Sequence, residues 1–432
     1  MDVSYILNDL NDAQRQAVAA SATNLLVLAG AGSGKTRVLV HRIAWLIQAE
    51  GLSPFSILSV TFTNKAAKEM RARIDELLGS SASGLGAPRG MWVGTFHGIA
   101  HRLLKAHWKQ AGLPQNFQIL DSDDQLRLVK RIHREFDLDE SRWPPRQSQW
   151  FINGQKDEGK RAAHIEDYGK DLNHSTMLRV YLAYEQACDR QGVVDFAELL
   201  LRAHELWLKQ PAILQHYQER FKHILVDEFQ DTNTIQYAWL RVLAGKNIPV
   251  VAVGDDDQSI YGWRGAKIEN IQQYSKDFPN TQIVRLEQNY RSTSTILNAA
   301  NAVIDNNTDR LGKELWTDGG EGELISVYAG FNEQDEARFV VERIEEWVKD
   351  GHDRSSSAIL YRSNAQSRVL EEAMIRGGIP YRIYGGQRFY DRLEIKNALA
   401  YMRLTNNRDD DTATERVINT PTRGIGSKTI EV

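Results

Sequence analysis

The sequence predicts an α/β protein: a parallel sheet whose strands alternate with helices, interrupted by a long helical stretch. Three observations carry this. Short apolar runs at "NLLVLAG", "ILSVTFT", "MWVGTF", "HILVDE" and "PVVAVGD" read as buried parallel strands, each followed by turn or helix signals. The first of them runs into the glycine-rich turn "AGAGSGKT", residues 29–36, which has the form of a strand-to-helix junction. Between the third and fourth, residues 98 to about 221 show helical patterning and no comparable strand.

Composition sets the outer limits. At 432 residues, 42% hydrophobic and 25% charged, the chain has the balance of a soluble globular protein and is too long for one ordinary domain. Its single cysteine, Cys188, excludes a disulfide framework and suits a reducing cytosol. The start "MDVSYILNDLNDAQ" lacks the basic and apolar regions of a signal peptide, and no segment approaches a bilayer span. The expectation is a cytoplasmic protein with no membrane partner. A net charge of -4 does not advertise nucleic acid, so any such surface must be local. Residues 61–110 offer one candidate, where Lys65, Lys68, Arg71, Arg73, Arg89, Arg102, Lys105 and Lys109 outnumber Glu69, Asp75 and Glu76. A solvated helix face explains such a run equally well.

The glycine-rich turn restricts the chemistry most. Gly30, Gly32 and Gly34, with Ala29 before them and Ala31 and Ser33 between them, let successive backbone N–H groups point into one concavity that fits phosphate oxygens. A helix starting near Lys35 adds its N-terminal dipole, Lys35 adds a full charge, and the Thr36 hydroxyl is placed to ligate Mg²⁺. This is a P-loop for a nucleoside triphosphate. A dinucleotide fold shares the glycines but has no need of the Lys-Thr pair.

Farther along, "DSDDQLRLVKRIHREF" sets Ser122 and Gln125 at capping-box spacing, with Leu128, Val129, Ile132 and Phe136 along one face. The stretch "GSSASGLGAPRG", 79–90, is expected to be a flexible surface loop, and "WPPRQ" at 143 to break a helix. There is no internal repeat and no low-complexity tract.

The hydrolytic half of a P-loop site belongs on another strand end. "HILVDEFQDT" supplies it, delivering Asp227 for the magnesium shell and Glu228 as a base for the attacking water. The next strand ends in "GDDDQSIYGWRGA", where Gln258 can sense a γ-phosphate, or be an ordinary polar loop residue. Tyr261, Trp263 and Arg264 follow within a few positions. Such groups stack on nucleic acid bases, each worth about 1–3 kcal/mol and indifferent to sequence. The alternative is that the rings pack against a neighbouring subdomain.

The series "LNDAQRQAV", "AGAGSGKT", "TFTNKAA", "GTFHG", "LVDEFQDT", "GDDDQSIYGWRGA", "QNYRST" and "ILYRSNAQSR", in that order, resembles the superfamily 1 DNA helicases of the UvrD, Rep and PcrA type along essentially the whole chain. The resemblance implies a RecA-like first motor domain at 1–96 and 222–287, a helical insertion at 97–221, an incomplete second motor domain at 288–384, and the start of its own insertion at 385–432. It implies that Gln14 reads the adenine edge and Tyr290 stacks on the ring. Arg37 and Arg291 would approach the phosphates, Arg291 as an arginine finger. Phe62, Asn64, Thr95, His97, Tyr261, Trp263 and Arg264 would line the single-strand path. Gly424 and Gly426 of "TPTRGIG" would reach duplex phosphates through backbone N–H groups.

The implied activity is a DNA-stimulated ATPase, using ATP and Mg²⁺, that translocates 3′ to 5′ and separates strands at duplex junctions. Mismatch-repair and excision-repair proteins are the implied partners. The family pattern continues past Val432 with two further motifs, so this chain is expected to bind ATP, hydrolyse it slowly and fail to unwind. Two other readings remain: an ATP-gated DNA-binding module without hydrolysis, and a P-loop kinase of a small molecule.

Overall fold

A computed structural model describes residues 3–79, 90–167, 169, 171–308, 310–384, 392–426 and 429. The expected loop at 79–90, apart from its two ends, and the expected start of a second insertion at 385 lie outside these residues, as does Arg89.

The chain runs α1 (Asp12–Val18), β1 (Leu25–Ala29), α2 (Lys35–Gln48), β2 (Ile57–Thr61), α3 (Asn64–Gly79), β3 (Trp92–Thr95) and α4 (Phe96–Ala106). A mainly helical stretch follows: β4 (Gln118–Ile119), α5 (Ser122–Glu135), α6 (Pro145–Asp157), α7 (Leu172–Gln191), β5 (Val193–Val194), α8 (Phe196–Lys209) and α9 (Pro211–Arg220). The sheet resumes with β6 (His223–Val226), α10 (Thr234–Ala244), β7 (Val250–Gly254), α11 (Glu269–Asp277), β8 (Gln282–Leu286) and α12 (Ser294–Ile304). Beyond these lie α13 (Glu333–Lys349), α14 (Asn364–Arg376), α15 (Leu393–Asn406) and α16 (Asp411–Val417).

Six strands form one sheet in the order β3-β2-β6-β7-β1-β8, and every pairing in it is parallel. Both faces are covered, as an all-parallel sheet requires. Leu26, Leu28, Leu58 and Val60 enter the core on one face with Phe96, Trp207 and Trp239. Leu25, Val27, Ala29 and Ile57 enter the other with Val38, Ile43 and Met70. The five strands expected from apolar runs are all present. The sixth, β8, was not anticipated: as an edge strand it alternates buried Val284 and Leu286 with exposed Ile283 and Arg285, so no continuous apolar run marks it.

Two local readings are corrected. The cap of α5 is Asp121, whose carboxylate accepts the N–H groups of Asp123 and Asp124, rather than Ser122 with a box to Gln125. The "WPPRQ" stretch opens a helix rather than breaking one: α5 has already ended at Glu135, and Pro145 takes the first turn of α6, where its missing N–H is not needed.

The inserted helices carry a buried charge cluster. The Lys156 ammonium lies 2.6 Å from Asp195 and 2.9 Å from Glu198, and the Tyr184 hydroxyl donates to the same Asp195 oxygen at 2.8 Å. Arg161 joins Glu198 to Glu185 and Glu205. The end of α6 then docks on the sheet domain. Asn233 donates to Asp157 at 3.0 Å, Thr234 donates to Glu158 at 3.2 Å, and Lys267 pairs with Glu158 at 3.1 Å.

By internal contacts the chain divides into two compact units, Met1–Glu323 and Leu324–Val432. Residues 288–323 fall within the first unit, where Asn289 donates to Ala31 O and the Tyr290 N–H to Gly32 O, while the Asn289 N–H donates to Trp316 O. Among its described residues the second unit is helical, and its apolar runs near 325 and 360 pair with no strand, leaving Val327 93% and Leu360 94% exposed.

Lys156→Ala should leave Asp195 and Glu198 buried without a counter-charge. The expected loss is about 3–5 kcal/mol in urea unfolding. A loss below about 1 kcal/mol would show that water or rearrangement replaces the ammonium.

Candidate nucleotide site and strand-binding face

Because the strands are parallel, all six carboxyl ends emerge on one edge of the sheet. Asn64 and Phe62 follow β2, Thr95 closes β3, Asp227 follows β6, Asp255 follows β7, the P-loop follows β1, and Asn289–Arg291 follow β8. Ligands of open parallel sheets bind at this edge.

In the P-loop, Gly32 has φ 66° and Gly34 φ 90°. Here glycine is required twice over. A Cβ at Gly32 would stand 2.5 Å from Asn289 Nδ2, and one at Gly34 would stand 2.8 Å from Gln14 Nε2. Ser33 Oγ folds back to donate to Gly30 O at 2.7 Å. α2 begins at Lys35 and has no side-chain cap, so its first N–H groups are free to meet an anion. The Lys35 ammonium lies 3.3 Å from Glu228 Oε2 and 3.9 Å from Asp255 Oδ2, yet it is buried and makes no hydrogen bond. A buried ammonium held only by charge fits a triphosphate, which offers it acceptor oxygens. Thr36 stands next to it, half-buried in the same first turn.

Asp227 is 4% exposed. Burial, aided by the neighbouring Glu228 charge, pushes its carboxyl up to about 7, against the opposing effect of Lys35. Burial and Glu228 likewise raise Asp231 to about 6. Glu228 has φ 49°, strained for a residue with a side chain, and its carboxylate accepts from Gln230 Nε2 at 3.0 Å. Gln230 in turn accepts the Asp255 N–H at 2.9 Å, and Gln258 donates to Asp255 Oδ2 at 2.5 Å. One hydrogen-bonded run therefore joins Glu228, Gln230, Asp255 and Gln258, with Lys35 beside both carboxylates. A buried carboxylate, a second one half in solvent and an unbonded ammonium make a set that can hold Mg²⁺ and activate water.

The adenine-side candidates are arranged less simply. Gln14 is 1% exposed and its amide is taken up by the chain: Nε2 donates to Ser33 O at 2.9 Å and Oε1 accepts the Asn11 N–H. In this arrangement it braces the P-loop. Tyr290 is 55% exposed, its hydroxyl held by Asn11 and Gln288. Its N–H donates to Gly32 O at 3.0 Å, and Asn289 donates to Ala31 O at 2.6 Å. Arg37 and Arg291 are exposed, and Arg291 lies so near the P-loop that its Cβ would be 2.9 Å from a Cβ on Gly32.

On the strand-binding side, Trp263 is 73% and Tyr261 36% exposed. The Arg264 guanidinium lies 4.5 Å from the Trp263 ring and 4.9 Å from the Tyr261 ring. These rings are not packed under a neighbouring subdomain. Phe62 is half-buried and meets Phe96 edge-on, and Asn64 is exposed at the start of α3. Thr95 caps α4 by accepting the Gly98 N–H, and His97, whose pKa burial lowers to about 4, lies 5.6 Å from the Phe196 ring. Phe196 was not foreseen; at 58% exposure beside His97 it extends the aromatic face. Gly424, at φ 71°, and Gly426 have open space around them in the second unit.

The basic run is partly structural. Arg71 donates to Val93 O, Arg73 pairs with Glu69, and Arg102 covers the Trp92 ring. The sequence reading also missed Arg310 and Lys313, which pair with the Asp255–Asp257 run. Three successive aspartates on a buried strand end were the available sign that a cation had to be near.

Residues 10–279 match the UvrD/REP helicase N-terminal domain, and residues 284–432 the UvrD-like helicase C-terminal domain. The chain belongs to the UvrD/REP helicase family. It is 66% identical over all of its 432 residues to DNA helicase II of Escherichia coli and 61% identical to that of Haemophilus influenzae, covering 59% of each. To the ATP-dependent DNA helicase PcrA of Staphylococcus aureus it is 43% identical over 429 residues, covering 99% of this chain and 58% of that one. The chain thus spans about three fifths of these UvrD/REP relatives. No helix among the described residues is long and apolar enough to cross a membrane.

An acid whose folded pKa exceeds its unfolded value takes up a proton on folding in the interval between the two, so stability falls as pH rises through it. For Asp227 that interval runs from 3.8 to about 7. Asp227→Asn should therefore be more stable than the parent at pH 8, by on the order of 1 kcal/mol, with the advantage gone at pH 4. Urea unfolding at the two pH values measures it; an advantage independent of pH would remove the titration as its cause.

Proposed function

We propose that this chain is the ATP-handling, strand-gripping part of a DNA helicase that moves 3′ to 5′ on single-stranded DNA and opens duplex junctions. One observation supports it above the others. The loop that starts at Asp255 and Gln258, bonded to the Lys35–Glu228 site, continues within a few residues into exposed Tyr261 and Trp263. A small-molecule kinase has no use for an exposed tryptophan there.

In this reading Lys35 and the P-loop N–H groups hold the β- and γ-phosphates, and Thr36 and Asp227 hold Mg²⁺. When bound, the ion supplies charge neutralisation to the phosphate oxygens. Glu228 accepts a proton from the attacking water, Gln258 senses the γ-phosphate, and Arg291 meets the developing charge. Tyr290 stacks on adenine, with Gln14 and Arg37 beside it. Stacked bases rest on Trp263, Tyr261 and Phe62, with Asn64, Thr95, His97 and Arg264 along the backbone, while Gly424 and Gly426 contact duplex phosphates. The names of the relatives and the site chemistry support an ATP-dependent activity. The family likeness supports the polarity, a cytoplasmic location and mismatch- and excision-repair partners.

Phosphate release measured with and without single-stranded DNA tests the reading. Lys35→Ala should abolish release, and Glu228→Gln should keep ATP binding while blocking turnover. Trp263→Ala should weaken single-strand affinity by about 1–3 kcal/mol and leave DNA-free turnover unchanged. Equal loss with and without DNA would make Trp263 a packing residue. Duplexes with a 3′ or a 5′ tail, given to the protein extended to its relatives' length, test polarity; preference for the 5′ tail would overturn it.

A further inference from the structure

One buried cation on the sheet edge has no part in the cycle described above. Lys313 lies in the segment after α12, and its side chain is 2% exposed. Its ammonium meets three successive carboxylates: Asp255 Oδ1 at 2.8 Å, Asp256 Oδ1 at 2.5 Å and Asp257 Oδ2 at 2.8 Å. The neighbouring chain fixes it there. Arg310 donates to both oxygens of Asp257, at 2.9 and 3.0 Å, and the Leu311 N–H donates to Asp256 Oδ2 at 2.8 Å. The aspartate oxygens lie within 4.8 Å of one another, close enough for a metal ion, but the protein's own ammonium fills that place.

Asp255 connects this cluster to the nucleotide site. Its other oxygen accepts Gln258 Nε2 and lies 3.9 Å from Lys35 Nζ. Two ammonium groups thus address Asp255, one at each carboxylate oxygen, Lys313 bonded and Lys35 not. Without Lys313, three adjacent carboxylates would be buried with only Arg310 against them, and a buried uncompensated charge draws the nearest counter-ion. That counter-ion is Lys35, which has no hydrogen bond to hold it back. Its movement onto Asp255 would withdraw it from the phosphates and displace Gln258 from the oxygen it now uses.

We propose that Lys313 is a positioning residue of the nucleotide site: by neutralising Asp255–Asp257 it leaves Lys35 and Gln258 free to meet a γ-phosphate. The proposal rests on the assignment of Lys35 and Gln258 to the phosphates.

The test is binding of the N-methylanthraniloyl derivatives of ATP and ADP to the 432-residue chain with Mg²⁺, followed by fluorescence. The readout is the ATP-to-ADP affinity ratio, which a merely structural loss would not change. Lys313→Met should lower that ratio about tenfold, while Lys313→Arg, which keeps the charge, should stay within about threefold of the parent. If Lys313→Met does not fold, the double variant Lys313→Met with Asp256→Asn removes part of the excess charge and should still lower the ratio about threefold. A parental ratio in a folded Lys313→Met or in the double variant overturns the role of Lys313 alone. No binding of either nucleotide by the parent chain overturns the nucleotide assignment, and the proposal with it.

Discussion

Everything functional in this molecule depends on the six strands of one sheet all running the same way. Parallel pairing sends every carboxyl end to one edge, so residues far apart in sequence, from Thr95 to Arg291, arrive at a common surface. It also demands that both faces be covered, which the two cores on either side of β1 satisfy. The buried sheet is therefore rigid where the edge must be exact, and the edge loops are free to carry chemistry.

The same edge concentrates charge, and the charge must be balanced. Asp227, Glu228, Asp231, Asp255, Asp256 and Asp257 all lie at the ends of two neighbouring strands, β6 and β7. Lys313 and Arg310 both bond the β7 group, two cations against three carboxylates. Among the described residues the β6 group is compensated only by Lys35, at 3.3 Å and without a hydrogen bond. Burial, with the Glu228 charge beside it, raises the Asp227 pKa, and one Asp231 oxygen is buried without a hydrogen bond. The cations at β7 are thus bonded, while Lys35, beside β6, keeps its hydrogen-bonding capacity for a ligand.

The sheet and the site were legible in the sequence to different depths. Five strands were found because a strand buried on both faces must be apolar throughout, as at "HILV". β8 escaped because an edge strand carries the two-residue alternation that "QIVRL" spreads over too few positions. The P-loop and Asp227–Glu228 could be read as a candidate site because the pattern is local, its members being neighbours in sequence. Lys313 escaped because its three partners are more than fifty residues away, and nothing beside it in "RLGKEL" distinguishes it from a surface lysine. The aspartates that hold it were in view, without any means of placing their counter-charge.

The inserted helices add a connection that neither half of the site provides alone. The segment from Asp227 to Asn233 is held at one end by Gln230, which bonds both Glu228 and the Asp255 N–H. At the other end Asn233 donates to Asp157 on α6, and Asn270 donates to Thr232. Lys267, three residues past the exposed Arg264, pairs with Glu158 on that same helix end and donates its N–H to Thr232 O. The segment that carries Trp263 is therefore fixed, through Thr232, to the loop that carries Glu228. These links are direct hydrogen bonds and an ion pair rather than flexible chain, so the aromatic loop and the Glu228 loop are mechanically joined.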